Sequence, residues 1–357
     1  MKDSILKALS TVPDPDLGSD LVSLGMVKNI DLDSTPVKIT VELTTPACPM
    51  KKKIEDDCKA ALQSIENLDF EIVMTAQVRA NQNRGIHNLS NVKNIILVMS
   101  GKGGVGKSTV ATNIAICLGR GGSKVGLLDA DIYGPSIPTM MGTKEKPTLT
   151  ENQKILPLES HGIKVMSSGF LVEEDSALIW RGPMIHKIIN QFCNDVEWGE
   201  LDYLIFDLPP GTGDVQLSLS QTVPVVGAVM VTTPQQVALA DVNRAESMLR
   251  TLKIPLLGVI ENMSGYCHPE SGEIIHIFAE GGGKKLAEKT ESKLFGSIPL
   301  APEVCTAGDS GTPVVIEKPD SPASAAFEKS AQNLAAQISI FNHQGISSKV
   351  ITPKNPH

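Results

Sequence analysis

A chain of 357 residues is long enough for more than one domain, and with 41% hydrophobic and 20% charged residues most of it should fold. A net charge of −8 argues against default attraction to nucleic acid or anionic lipid, and 4% aromatic residues argues against a surface that stacks on single-stranded bases. Six cysteines, at 48, 58, 117, 193, 267 and 305, are scattered with no C-x-x-C, which excludes a disulfide framework and fits free thiols in a reducing compartment.

The first residues, "MKDSILKALSTVPDPD", lack the long apolar core of a secretory signal, so a cytoplasmic protein is expected. Ile5, Leu6 and Leu9 recur at helical spacing until Pro13 and Pro15 stop the run. "VKITVEL" then alternates Val37, Ile39, Val41 and Leu43 on one face, the period of a half-buried strand. After "TTPACPM", a helical stripe runs through Ile54, Cys58, Ala61, Leu62 and Ile65, and "FEIVMTAQV" closes as another strand. Residues 1–80 therefore read as a small α+β domain, and the polar, Asn/Gly-rich stretch 81–92 as a linker.

From 93 to 341 the pattern changes to short apolar runs separated by helical stretches. "IILVMS", "KVGLLDA", "YLIFDLP", "GAVMVTT" and "LLGVIEN" are continuous rather than alternating, as strands buried on both faces should be. Between them lie the helix candidates "KSTVATNIAICLGR", stopped by Gly121-Gly122, and "QQVALADVNRAESMLRTL". This predicts an α/β fold, a doubly wound, mostly parallel sheet whose ligands bind beyond the carboxyl ends of the strands. The longest charge-free run, Val215 to Ala240, is broken by Pro224, Pro234 and four glutamines and is no membrane span. A last helix over Ser321–Phe341 places Phe327, Leu334, Ile338 and Phe341 on a stripe suited to the core, and 342–357 reads as a loose tail.

Three loops at the strand ends carry chemistry. "SGKGGVGKST" satisfies both G-x-G-x-x-G, through Gly101, Gly103 and Gly106, and G-x-x-x-x-G-K-[ST], through Gly101, Gly106, Lys107 and Ser108. A dinucleotide site needs an acid about 20 residues on, and Asp129 lies near that place. A triphosphate needs a cation and a hydroxyl ligand for Mg²⁺, which Lys107 and Ser108 supply side by side. "LDYLIFDLPPGTGD" decides for the triphosphate, because its apolar strand ends in Asp207, where a carboxylate for Mg²⁺ is required. ATP, held by Gly101 to Thr109 (with Gly104 and Val105 inside the turn), is the expected ligand.

Lys102 is one lysine more than such a loop needs. "KGGVGK" resembles the signature of the deviant P-loop ATPases of the MinD/ParA superfamily, in which that lysine crosses a dimer interface to the partner's nucleotide. The same resemblance implies that, in "LLDADIYGPS", Asp129 helps to organise Mg²⁺ and Asp131 positions the attacking water. It also implies that "DLPPGTGD" (207–214) is a γ-phosphate-sensing switch and that Asn262 of "VIENMS" reads adenine. Catalysis would then rest on Lys102, Lys107 and Asp131. "SGKGGVGKST", "DADIYGPS", "DLPPGTGD", "VIENMSG" and "GGG" followed by "LA" (281–287) together resemble the Mrp/ApbC iron–sulfur carrier family. "VPDPDLGSDLVSLGMV" and "TTPACP" resemble the small iron–sulfur-assembly domain often fused to it.

Many members of that family continue from "ENMS" into C-P-x-C, which supplies two thiolates per subunit to a 4Fe–4S cluster shared by the dimer. This chain reads "ENMSGYCHPESGE", with His268 and Ser271 in those two positions, Pro269 between them, and Cys267 one residue early. Three arrangements fit. Cys267 binds with His268 or another cysteine, Cys48 supplies sulfur from the N-terminal domain, or the chain works through a partner. Cys58, Cys117, Cys193 and Cys305 read as packing residues, His268 as a surface loop histidine and His276 as structural. The resemblance implies a homodimeric ATPase that carries iron–sulfur clusters to apo-proteins alongside assembly factors, without nucleic acid or membrane. Two rivals are a positioning ATPase of the partition or division-site kind and an ATP-dependent reductase. The acidic charge and fused N-terminal module oppose the first, and the lack of a paired cysteine set opposes the second.

Overall fold

The computed structural model describes residues 1–66, 68–80, 89–143, 145–171, 182–211, 219, 223–235, 245–268 and 273–344. Among the described residues the chain builds a three-stranded and an eight-stranded sheet, each over its own core, and a separate two-stranded hairpin. In the first unit, α1 (Lys2–Leu9) precedes β1 (Val27–Asp31) and β2 (Val37–Leu43), and α2 (Lys51–Leu62) crosses over to β3 (Phe70–Ala76). The strand order is β1-β2-β3, with β1 antiparallel and β3 parallel to β2. Periodicity dictates what is buried. Ile5 and Leu9 on α1, alternate residues Ile39, Val41 and Leu43 on β2, and Ile54, Cys58 and Leu62 on α2 close one core. Ala61 and Ile65, at the edge of the predicted α2 stripe, are only half-buried.

The second unit opens with β4 (Val92–Ser100), which takes up the last position assigned to the linker; 81–88 lie outside the described residues. It continues through α3 (Lys107–Arg120), β5 (Val125–Asp129), α4 (Ile137–Met140), β6 (Leu158–Ser160), β7 (Ile163–Ser167), α5 (Gly182–Asn194), β8 (Leu201–Asp207), β9 (Val225–Thr232) and β10 (Leu256–Glu261). After the hairpin strands β11 (Tyr266–Cys267) and β12 (Ile274–Ile275) come α6 (Gly282–Lys289), β13 (Lys293–Ser297), α7 (Pro302–Ser310), α8 (Val314–Glu317) and α9 (Pro322–Gln344). The sheet order is β13-β10-β9-β4-β8-β5-β7-β6, parallel throughout except for β6, which lies antiparallel to β7. The doubly wound architecture expected from the apolar runs is thus present, with every residue of β5 and β8 buried.

Helix α3 spans the residues predicted for it. Of the second predicted helix, residues 245–251 are helical and 236–244 lie outside the described residues. Helix α9 buries Phe327, Leu334 and Ile338 and packs on α3 and β13; it runs three residues into the predicted tail, the rest of which lies outside the described residues. Among the described residues no helix is long and apolar enough to cross a membrane.

The small unit docks at the amino ends of the large sheet's strands. Thr45 Oγ1 lies 3.2 Å from the hydroxyl of Tyr203, near the start of β8, and Ala47 joins the large core beside Gly121, just past the end of α3. Asn94 and Asn342 both donate side-chain amide hydrogens to the Arg79 carbonyl, pinning the chain as it leaves β3.

Candidate functional site

Strand β4 feeds the glycine loop at the middle of the sheet, between β8 and β9. Its last residue, Ser100, donates its hydroxyl to the Lys102 carbonyl at 2.9 Å and accepts the Gly211 N–H at 2.9 Å, so the loop and the segment after Asp207 are held together. Gly104 and Gly106 take left-handed φ values of 79° and 78°, and Gly106 is the N-cap of α3. The turn presents the unpaired amides at the start of α3, an arrangement suited to phosphate oxygens. A Cβ on Gly106 would also stand 2.3 Å from Nδ2 of Asn262, so no other residue fits there without displacing that side chain.

Lys107, at the first turn of α3, is buried, and its Nζ lies 2.5 Å from Asp207 Oδ1 and 3.2 Å from Ser108 Oγ. Asp207 ends β8 with no exposed surface, and its Oδ2 has no hydrogen-bond partner among the described residues. Burial raises the pKa of Asp207, while the Lys107 ammonium and then Ser108 pull it down and the Asp131 charge adds to the rise. Across the β5–β8 register sits Asp129, also fully buried. Its pKa is pushed up to about 7, first by burial and then by the charge of Asp207. Asp129 accepts the Asp131 N–H at 3.1 Å, the Ile137 N–H at 3.2 Å and the Ser167 hydroxyl at 3.0 Å, which orders the loop carrying Asp131. An orphaned buried carboxylate oxygen, with a hydroxyl and further carboxylates around it, fits a hard divalent cation such as Mg²⁺.

The structure therefore brings Lys107, Ser108, Asp129, Asp131 and Asp207 to one place. Lys102, Gly103 and Gly104 are exposed on the rim, Val105 is buried beneath the loop, and Thr109 is half-buried on α3. Asn262 follows β10 and donates Nδ2–H to the Val105 carbonyl at 2.9 Å, so one of its amide hydrogens holds the loop rather than a base. Ser167, brought by β7, and Glu261, whose carboxylate accepts the Gly283 N–H at 2.5 Å, belong to the same end of the sheet and were missed in the sequence. An acid closing the apolar run "LLGVIE" was the available signal for the second. The "GGG" run is explained by packing. Cβ atoms on Gly282 and Gly283 would stand 2.8 Å from the Pro234 carbonyl and 2.6 Å from Glu261 Cβ.

The two sulfur candidates are not brought together. The backbone of Cys267 lies in β11, five residues beyond Asn262 and at the nucleotide-loop end of the sheet; its side chain and Ser271 lie outside the described residues. His268 donates its backbone N–H to the Glu273 carbonyl at 2.9 Å. Cys48 precedes α2 at the opposite end, separated from the loop by the length of α3, about 20 Å for 14 residues. Burial first, then the charges of Asp16 and Asp14, push its thiol up to about 11 against the Met50 and Lys51 amides. Among the described residues no three His, Cys, Asp or Glu side chains converge on a metal. Cys58 and Cys193 are buried and Cys117 half-buried, whereas Cys305 is exposed, its Sγ 3.7 Å from Asp309 Oδ2. The packing role expected of Cys305 is wrong because α7 turns only Ala307 fully inward. His276, expected to be structural, is exposed on the hairpin and shares a hydrogen bond of 3.1 Å with the Ser264 carbonyl.

Comparison with known proteins adds to this geometry. The family model described as "NUBPL iron-transfer P-loop NTPase" matches residues 91–335, and that described as "Iron-sulfur cluster assembly protein" matches residues 2–72. A Deinococcus radiodurans protein named "Iron-sulfur cluster carrier protein" is 50% identical over 342 residues, 95% of this chain and 96% of that one. The nucleotide-binding protein of Archaeoglobus fulgidus in complex with ADP superposes with a TM-score of 0.58 at 39% identity, covering 67% of this chain and 93% of its own. The Pyrococcus furiosus cell division ATPase MinD gives a TM-score of 0.52 at 23% identity, over 67% of this chain and 97% of its own, a likeness of fold alone.

Proposed function

Because the chain belongs to the NUBPL iron-transfer P-loop NTPase family, with an iron–sulfur cluster assembly domain ahead of it, we propose that it is an ATP-hydrolysing carrier that delivers iron–sulfur clusters to apo-proteins. The observation that carries this reading is the shared end of the sheet. The Lys107–Asp207 site and the hairpin with Cys267 both stand beyond the carboxyl ends of the strands, joined through Asn262. A cluster held at that hairpin is cargo within reach of the nucleotide's conformational influence.

Lys107 lies against Asp207, at the mouth of the loop. Its ammonium would take the β and γ oxygens of a triphosphate held in the loop. Ser108 and Asp207, backed by Asp129, would hold Mg²⁺, which supplies charge neutralisation for the transferring phosphoryl group. Asp131, its loop fixed by Asp129, orients the attacking water. Lys102, exposed on the rim, enters the partner subunit's site and stabilises the charge that develops there. Homodimerisation is supported by Ile274, Ile275, Ile277 and Phe278, which stand exposed on and just after β12, the strand paired with Cys267. The described thiols Cys48, Cys58, Cys117, Cys193 and Cys305 are free, which suits the cytoplasm.

The test is anaerobic reconstitution of the purified protein with iron and sulfide, followed by transfer to an acceptor apo-enzyme. Charge-transfer absorption that disappears in Cys267→Ala and acceptor activity that rises with ATP are expected. A wild-type protein that never takes up iron overturns the carrier reading, and a Cys267→Ala protein with full cluster content overturns the ligand.

A further inference from the structure

Asn262 occupies the point where the nucleotide loop and the Cys267 hairpin touch. Its backbone N–H donates to the Thr232 carbonyl at 2.8 Å, anchoring it at the end of β9, while its side chain donates to the Val105 carbonyl at 2.9 Å. The Val105–Gly106 peptide is planar and trans, so its C=O and N–H point in opposite directions. A donor that captures the Val105 oxygen from behind therefore aims the Gly106 N–H forward, where a loop of this kind receives phosphate.

The chain beyond Asn262 has little slack. Met263 is held at a φ of 55°, uncommon for a bulky residue, and its Cε would lie 3.8 Å from a Cβ on Gly106. Ser264 donates both its N–H, at 2.9 Å, and its hydroxyl, at 3.0 Å, to the Ile298 carbonyl, and β11 begins two residues later. Tyr266 and Cys267 then pair with Ile275 and Ile274 of β12. No loose segment separates the loop from the hairpin.

We infer that Asn262 is a positioning residue that couples the phosphate-binding loop to the hairpin carrying Cys267, by fixing the plane of the Val105–Gly106 peptide. Phosphate accepting the Gly106 N–H polarises that peptide and strengthens the bond its carbonyl accepts from Asn262, which steadies the hairpin root. The coupling is reciprocal, so order at the hairpin raises nucleotide affinity by the same factor. This rests on the nucleotide-driven carrier reading and gives that reading its route between sites.

The experiment is hydrogen–deuterium exchange of the full-length protein, resolved for the amides of residues 264–268 and 273–276, without nucleotide and with saturating Mg²⁺-ATP or Mg²⁺-ADP. In the wild type, nucleotide is expected to slow these amides by about fivefold or more. In Asn262→Ala, nucleotide binds only at higher concentration, and at saturation the hairpin amides change by less than about twofold. Met263→Gly is the second variant, because glycine adopts the left-handed φ freely and the protein should fold. It retains the loop contact and loses the hairpin protection, with nucleotide affinity falling by no more than the coupling factor of about fivefold. Wild-type protection in either variant, or no protection in the wild type at saturating nucleotide, overturns the inference. The measurement contains no iron, so failed cluster uptake would sink the carrier reading while leaving this result standing, and the converse holds.

Discussion

Lys107 and Asp207 face each other inside the protein at 2.5 Å, the lysine 6% exposed and the aspartate not at all. Against the burial that disfavours it, this ammonium holds Asp207 toward its charged form, and Asp129 stands opposite on the neighbouring strand. Breaking a buried pair leaves an uncompensated charge and costs about 3–5 kcal/mol. We predict that Lys107→Met lowers the melting temperature without nucleotide by about 6–20 °C, at about 2–4 °C per kcal/mol for a domain of this size. Adding Asp207→Asn to it should restore most of the loss, since both charges are then gone. Scanning calorimetry of the two variants decides, and a Lys107→Met protein that melts with the wild type refutes the role given to the pair.

A thiol raised to about 11 is protonated at neutral pH, and lowering the pH cannot activate it. Cys48 should therefore be alkylated by iodoacetamide about a hundredfold more slowly at pH 8 than an unperturbed thiol, accelerating about tenfold per pH unit until about 11. The exposed Cys305 serves as the internal comparison in peptide-resolved mass spectrometry. Rapid labelling of Cys48 at pH 8 would show that the loop leaves its docked position readily.

That docked position hangs partly on Thr45 and Tyr203, whose hydroxyls are 3.2 Å apart in a buried contact. Tyr203→Phe should weaken docking by about 1 kcal/mol, while Thr45→Val with Tyr203→Phe, which removes both partners, should be closer to neutral than the single changes imply. The rate of limited proteolysis within residues 81–88 reads the docking equilibrium, because a docked unit restrains both ends of that stretch. Equal rates for all four proteins would place the docking energy elsewhere, in Ala47 and its neighbours.

The large sheet was legible because burial on both faces writes itself as continuous apolar runs, and α3 because a glycine loop and Gly121-Gly122 bracket it. The small core was legible through two periods, 2 in β2 and 3.6 in α2. What sequence could not give was which strand ends meet. Ser167 reaches Asp129 only because β7 pairs beside β5, and Asn262 reaches Val105 only because β9 separates β10 from β4 by a single strand. Nor does spacing along the chain reveal that the loop with Cys48 docks at the amino ends of the strands while Cys267 follows their carboxyl ends. That depends on side chains such as Ala47 that are too small to announce an interface.

Lys102 is the residue whose proposed action requires a second copy. It is exposed, and its backbone carbonyl accepts the Ser100 hydroxyl. Acting as a charged finger, it should be worth about 100-fold or more in hydrolysis, so Lys102→Ala should bind ADP normally and turn over ATP at a trace rate. Asp131→Asn should be similarly inactive through loss of the water-positioning group. Mixing the two separates action within a chain from action across a dimer. In the mixed dimer, one site combines the intact Asp131 of the Lys102→Ala chain with the intact Lys102 of its partner, while the other site lacks both groups. Random association makes half the dimers mixed, each with one working site, so activity should return to about one quarter of wild type. If Lys102 served its own nucleotide, neither site of the mixed dimer would be whole, and the mixture would stay as inactive as its components.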